Sequence, residues 1–253
     1  MTTRPRSLAR VGTRSLAVLT ALLNASCAFG MQEGATKQGE ATFRLWQAFM
    51  LAAIPVALIV YLLIAWCLVR YRRRAGDDPQ ALGRQFRERW SVEIAYTSIP
   101  ILIVVGLFVL ATRTGSTVDA VAAEPDLRVN VEAYAWGWRF AYPEQGVEVV
   151  SQPSGEGVPG PVMVLPRGAT VRIVLTSNDV IHSFWVPGFL YKHDAIPGRT
   201  FEFDLTPTRP GTYDGECAEF CGLNHAYMTF SVHVVGEDEF EAWVARNRTV
   251  GAA

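Results

Sequence analysis

Histidine and cysteine are scarce in this 253-residue chain, four of each, and no Cys-x-x-Cys-His motif occurs, so nothing in it points to covalent haem attachment. It has no internal repeat and no long low-complexity segment. Net charge is nearly absent too, with 23 basic residues against 24 acidic ones. That balance conceals a division. Residues 1–122 hold 14 basic and 7 acidic residues, whereas residues 123–253 hold 9 basic and 17 acidic. An acidic second half argues against nucleic acid as its partner and favours a basic protein steered in by the field of the domain.

Charge is also missing locally. Residues 45–69 carry none over 25 positions, a length that as a helix reaches roughly 37 Å and crosses a hydrocarbon core of about 30 Å with some tilt. Residues 94–112 form a second uncharged run of 19 positions. Both read as transmembrane helices. Pro55 and Pro100 fall inside them, which spanning helices tolerate because neighbouring groups satisfy the freed carbonyls. The intervening loop holds Arg70, Arg72, Arg73, Arg74, Arg84, Arg87 and Arg89 against Asp77, Asp78 and Glu88. Positive charge marks the cytoplasmic side, so a hairpin over residues 42–113 sends both of its ends outward.

Ahead of the hairpin, Arg4, Arg6, Arg10 and Arg14 precede an uncharged stretch and then Cys27, the layout of a secretory signal over residues 1–27. Ala25-Ser26 before Cys27 resembles a lipoprotein cleavage site. Lipidation at Cys27, simple cleavage and an uncleaved leader all stay open.

From residue 127 the pattern changes to period two, as in Leu127-Arg-Val129-Asn-Val131 and Val171-Arg-Ile173-Val-Leu175, with Gly and Pro between runs. These are strands. Together with later alternating runs they predict an all-β sandwich over residues 124–247, closed by an amphipathic helix at residues 237–247.

The chemistry is concentrated in Cys217-Ala-Glu219-Phe-Cys221-Gly-Leu-Asn-His225-Ala-Tyr-Met228. Sulfur ligands favour copper(I) and imidazole suits both copper oxidation states, so this set can hold copper through a redox cycle. One thiolate is enough for a mononuclear blue-copper site; two could bridge a pair of coppers. A disulfide between the two cysteines leaves His225 and Met228 unexplained, and structural zinc gains little from the methionine. A second histidine must come from elsewhere, and His182 in Asn178-Asp-Val-Ile-His182-Ser-Phe-Trp185-Val-Pro187 lies in a turn between strands that suits a ligand. His193 and His233 read as a loop and a strand residue.

The loop, the segment around His182 and Lys192-His-Asp194-Ala-Ile-Pro197-Gly198-Arg199 resemble subunit II of the haem-copper cytochrome c oxidases. The resemblance implies a cupredoxin-like domain with a dinuclear copper centre, CuA, on the extracytoplasmic face of a bacterial plasma membrane. It implies that Cys217 and Cys221 bridge the coppers, His182 and His225 are terminal ligands, Met228 is a weak axial ligand, and Glu219 binds through its carbonyl. Electrons would come from cytochrome c and pass to haem in subunit I, among other oxidase subunits, for reduction of oxygen to water coupled to proton translocation. This chain alone would reduce no oxygen.

Two further residues take roles from the same resemblance. Trp136, the first tryptophan in the aromatic run Tyr134-Ala-Trp136-Gly-Trp138-Arg-Phe140-Ala-Tyr142, would receive the donor's electron, although Gly137 stands where relatives commonly have an aromatic residue. Glu93, opening the second membrane helix, would mark the mouth of a proton path. The Glu219 carboxylate is implied as a ligand for magnesium or manganese shared with subunit I. Two rival readings use the same residues: the copper subunit of another terminal reductase, such as a nitric oxide reductase, and a non-enzymatic membrane-anchored copper carrier.

Overall fold

The structure, a computed structural model, describes residues 30–72, 76, 87–152 and 154–248. The expected signal segment with Cys27 and most of the arginine-rich loop lie outside the described residues. The described residues divide into two compact units, one within residues 44–113 and the other within residues 31–43 and 114–248.

The first unit is built on the greater part of helices α1, Lys37–Arg70, and α2, Trp90–Val118, which run unbroken through Pro55 and Pro100. Both exceed the uncharged runs that announce them. Their apolar side chains face outward, Leu62 at 67% and Leu102 at 69% exposure, a surface that water would not tolerate and a bilayer would. At the start of α2 the Arg89 N–H donates to Glu93 Oε1 at 2.9 Å. The Glu93 carboxylate thus satisfies one of the amides that a helix start leaves without an intrahelical partner.

Among the described residues of the second unit, ten strands form two five-stranded sheets. The strands are β1 Leu127–Tyr134, β2 Gly137–Tyr142, β3 Val147–Val150, β4 Val162–Pro166, β5 Val171–Ser177, β6 His182–Val186, β7 Tyr191–Ala195, β8 Phe201–Leu205, β9 Gly211–Cys217 and β10 Thr229–Val235. One sheet has the order β3-β2-β1-β5-β8 and the other β4-β10-β9-β6-β7. The pairs β1 with β5 and β10 with β4 are parallel, and every other pair in the two sheets is antiparallel. The result is a cupredoxin-like sandwich.

Alternation decides which side chains meet between the sheets. Val129, Val131 and Ala133 of β1 and Trp138, Phe140 and Tyr142 of β2 are all fully buried. They meet Phe184 of β6 and Phe230 of β10, with Trp138 edge-on to Phe230 at 5.1 Å and Phe184 stacked on Phe230 at 4.9 Å. Each such ring contributes about 1.5–3 kcal/mol by leaving water. Trp138, Phe140 and Tyr142 are therefore core residues, while Trp136 sits apart in the turn between β1 and β2. Helix α3, Glu237–Asn247, lays Phe240 and Val244 against the sandwich, and its Trp243 meets Tyr142 at 5.1 Å.

The first turn of α1 belongs to this second unit. Thr36 Oγ1 accepts from the Gly39 N–H at 2.9 Å, the Lys37 N–H donates to Thr206 O at 3.0 Å, and the Thr206 N–H donates to Gln38 Oε1 at 3.1 Å. Gly39 is required there, because a Cβ would come within 2.3 Å of Phe189 O.

Candidate metal centre

Three adjacent strands present the site. His182 opens β6, Cys217 closes β9, and Met228 immediately precedes β10. The loop between the last two is pinned at its ends, since the Cys217 N–H donates to Met228 O at 3.0 Å and the Ala218 N–H donates to Ser183 O at 3.1 Å. Between those pins a short turn, His225–Tyr227, brings the imidazole back toward the sulfurs.

All six positions singled out from the sequence converge. Cys217 Sγ lies 3.8 Å from Cys221 Sγ, 3.8 Å from His182 Nδ1 and 3.2 Å from Glu219 O. Cys221 Sγ lies 3.6 Å from His225 Nδ1 and 3.8 Å from Met228 Sδ. Both cysteines are free, and their separation far exceeds a disulfide bond of about 2.05 Å. His182 and Met228 are fully buried and the two cysteines nearly so, while Glu219 turns its side chain to solvent. His193 and His233 stand elsewhere: His193 stacks on Phe203 at 5.3 Å, and His233 lies within β10.

The electrostatics suit a cation. Burial opposes ionisation of Cys217, but hydrogen bonding to His182 and to the surrounding backbone outweighs it and brings the thiol down to about 7. Cys221 is pushed up to about 12, first by burial and then by the charge of Cys217. Two thiolates at this distance repel, so ionising both needs a positive charge beside them. Burial also opposes protonation of His182, yet Cys217 and Asp179 together raise it. A paired soft-sulfur set with an imidazole at each end and a thioether fits copper.

Trp136 covers this loop. Its indole N–H donates to Cys221 O at 3.0 Å. Gly222 has φ +120°, and a Cβ there would approach the indole to 3.0 Å, so only glycine allows both the backbone shape and the contact. The departure at Gly137 also has a cause. A Cβ at 137 would lie 2.3 Å from Ser151 Oγ and 2.8 Å from the Tyr134 ring, whose hydroxyl donates to Ser151 O at 3.1 Å. Tyr134 fills that space instead.

Asp179 is the residue that sequence reasoning passed over. Its Oδ1 lies 2.8 Å from His182 Nε2 and its Oδ2 accepts from the Ala135 N–H at 2.6 Å. Burial raises its pKa, but hydrogen bonds led by His182 outweigh that and lower it. The signal was available in the three-residue spacing from Asp179 to His182.

Comparison with known proteins agrees along most of the chain. Residues 24–112 match the family model described as Cytochrome C oxidase subunit II, transmembrane domain, and residues 159–235 match Cytochrome C oxidase subunit II, periplasmic domain. The probable cytochrome c oxidase subunit 2 of Streptomyces coelicolor is 36% identical over 246 residues, covering 84% of this chain and 76% of that protein. The corresponding protein of Rickettsia bellii is 31% identical over 234 residues, covering 88% and 85%. The crystal structure of the periplasmic domain of subunit II of cytochrome oxidase from Bradyrhizobium japonicum aligns with TM-score 0.46 at 34% identity, over 50% of this chain and 96% of that one. With its two apolar helices, its sandwich and its His, Cys and Cys cluster, the chain belongs to the cytochrome c oxidase subunit II family.

Proposed function

We propose that this chain accepts single electrons from cytochrome c at a dinuclear copper centre and delivers them to haem in subunit I, where oxygen is reduced to water with proton translocation. The observation that carries the reading is the pair of free sulfurs 3.8 Å apart with an imidazole nitrogen beside each. When bound, the copper pair supplies one-electron redox chemistry. Cys217, Cys221, His182, His225, the Met228 thioether and the Glu219 carbonyl are the groups that would hold it. A pinned loop limits how far these donors shift when the charge changes. Full burial of His182 and Met228 favours this reading over a copper carrier, which must release its metal readily.

Trp136 links the outer surface to the loop through its bond to Cys221 O. The exposed Glu219 carboxylate is free to bind a magnesium or manganese ion shared with subunit I, as hard cations choose oxygen. The copper domain lies on the extracytoplasmic side of a bacterial plasma membrane, following the positive charge of the helix connection.

The test is direct. The full chain, purified in detergent and loaded with copper, should bind two coppers and give an electron paramagnetic resonance spectrum with the hyperfine structure of one electron shared by two nuclei. One copper per chain with a mononuclear pattern would refute the reading.

Glu93 serves the same function at the other membrane face, as the mouth of the proton path. Glu93→Gln keeps an oxygen for the Arg89 N–H and so keeps the helix cap, but removes the ionisable proton. In the assembled oxidase it should slow oxygen consumption while reduction of copper by the donor stays fast. Equal turnover in variant and parent would leave Glu93 as a helix cap alone.

A further inference from the structure

Resting on the copper reading above, we propose that Asp179 is a positioning residue that ties the ligand His182 to the turn carrying Trp136, holding the electron-accepting indole and the metal loop in one register. One carboxylate makes both links. Oδ1 accepts from His182 Nε2–H at 2.8 Å, and Oδ2 accepts at 2.6 Å from the N–H of Ala135, the residue before Trp136. On the far side of that turn the Trp136 indole donates to Cys221 O at 3.0 Å. Cys221 Sγ in turn lies 3.8 Å from Cys217 Sγ, which lies 3.8 Å from His182 Nδ1. The links therefore close a ring.

Chemistry explains why an aspartate suits this place. An ionised carboxylate only accepts hydrogen bonds, so it can receive two N–H groups at once, one on each oxygen. Facing His182 Nε2, it places the ring proton there and leaves the Nδ1 lone pair on the side of Cys217. The carboxylate is itself steadied, since the Val180 N–H donates to Oδ1 at 2.7 Å and Ser177 Oγ donates to Val180 O at 2.5 Å. Its side chain is 35% exposed, so its charge also faces an approaching donor. Steering alone is therefore the rival role, and the two make different predictions. A steering charge acts on encounter and is screened by salt, whereas a positioning residue acts after docking.

Asp179→Ala and Asp179→Asn, each in the assembled oxidase, separate them. Three quantities are read: the nitrogen hyperfine couplings of the copper histidines, the first-order rate of copper reduction within the docked donor pair, and the salt dependence of association. Asp179→Ala loses both links, so one histidine coupling should change and the docked-pair rate should fall about tenfold or more. Asparagine has one acceptor oxygen and keeps one link, so Asp179→Asn should fall between alanine and the parent. If the alanine variant fails to retain copper, the asparagine variant, close in size, carries the comparison. Parent-like couplings and docked-pair rates, with only association altered, would overturn the positioning role. A mononuclear spectrum in the parent complex would overturn the copper reading and this proposal with it, whereas a paired spectrum with unmoved variants overturns this proposal alone.

Discussion

Cys221→Ser should leave a folded chain that holds no more than one copper and supports almost no electron transfer from the donor. Cys221 Sγ is the hub of the cluster, placed against Cys217 Sγ, His225 Nδ1 and Met228 Sδ at 3.8, 3.6 and 3.8 Å. A serine hydroxyl is a hard donor that keeps its proton, so it replaces neither the softness nor the charge of a bridging thiolate. The structural cost is small, about 1 kcal/mol, because size and shape are nearly conserved and the loop is pinned by backbone bonds at Cys217 and Ala218. Donor-driven oxygen consumption should fall by about a hundredfold or more. Cys67→Ser supplies the control, since that thiol is exposed on α1 and is not one of the candidate ligands. Two coppers per chain in the Cys221 variant would defeat the bridging role.

The convergence of the candidate metal loop was legible because its donors are local. Cys217, Cys221, His225 and Met228 fall within twelve positions, and a loop that short can hardly fail to bring soft donors together. The sandwich was legible for a similar reason, since period two in β1, β5 and β10 reports a half-buried strand without any knowledge of its neighbours. Strand order was not, because parallel pairing of β1 with β5 joins residues more than forty positions apart. Arg172 shows the same limit. Alternation places it on the outer face of β5, yet it is 7% exposed, paired with Asp204 and donating to Ala122 O at 2.6 Å. Nothing in local patterning announces that residues after α2 fold over that face. The first turn of α1 is a further case, for its ties to Thr206 and Thr208 cross 168 positions.

Trp136→Gln should slow copper reduction within the docked donor pair by about a hundredfold, the scale on which losing close contact at a reacting pair acts. The indole is half-buried, bonded to Cys221 O at 3.0 Å and packed on Gly222, so it is an aromatic group that joins the surface to the candidate metal loop. Its neighbours in the run cannot substitute, because Trp138, Phe140 and Tyr142 are wholly buried in the core. The copper spectrum should stay close to the parent's, since the loop keeps its bonds from Cys217 to Met228 and from Ala218 to Ser183. Salt dependence of association should also persist, because it arises from the acidic surface that Trp136 does not contribute to. Trp136→Phe then separates ring from hydrogen bond: a rate near the parent's assigns the effect to the aromatic face, and a rate near the glutamine variant's assigns it to the link with Cys221. Unchanged kinetics in the glutamine variant would remove Trp136 from the path altogether, and the electron would have to enter by another face of the loop.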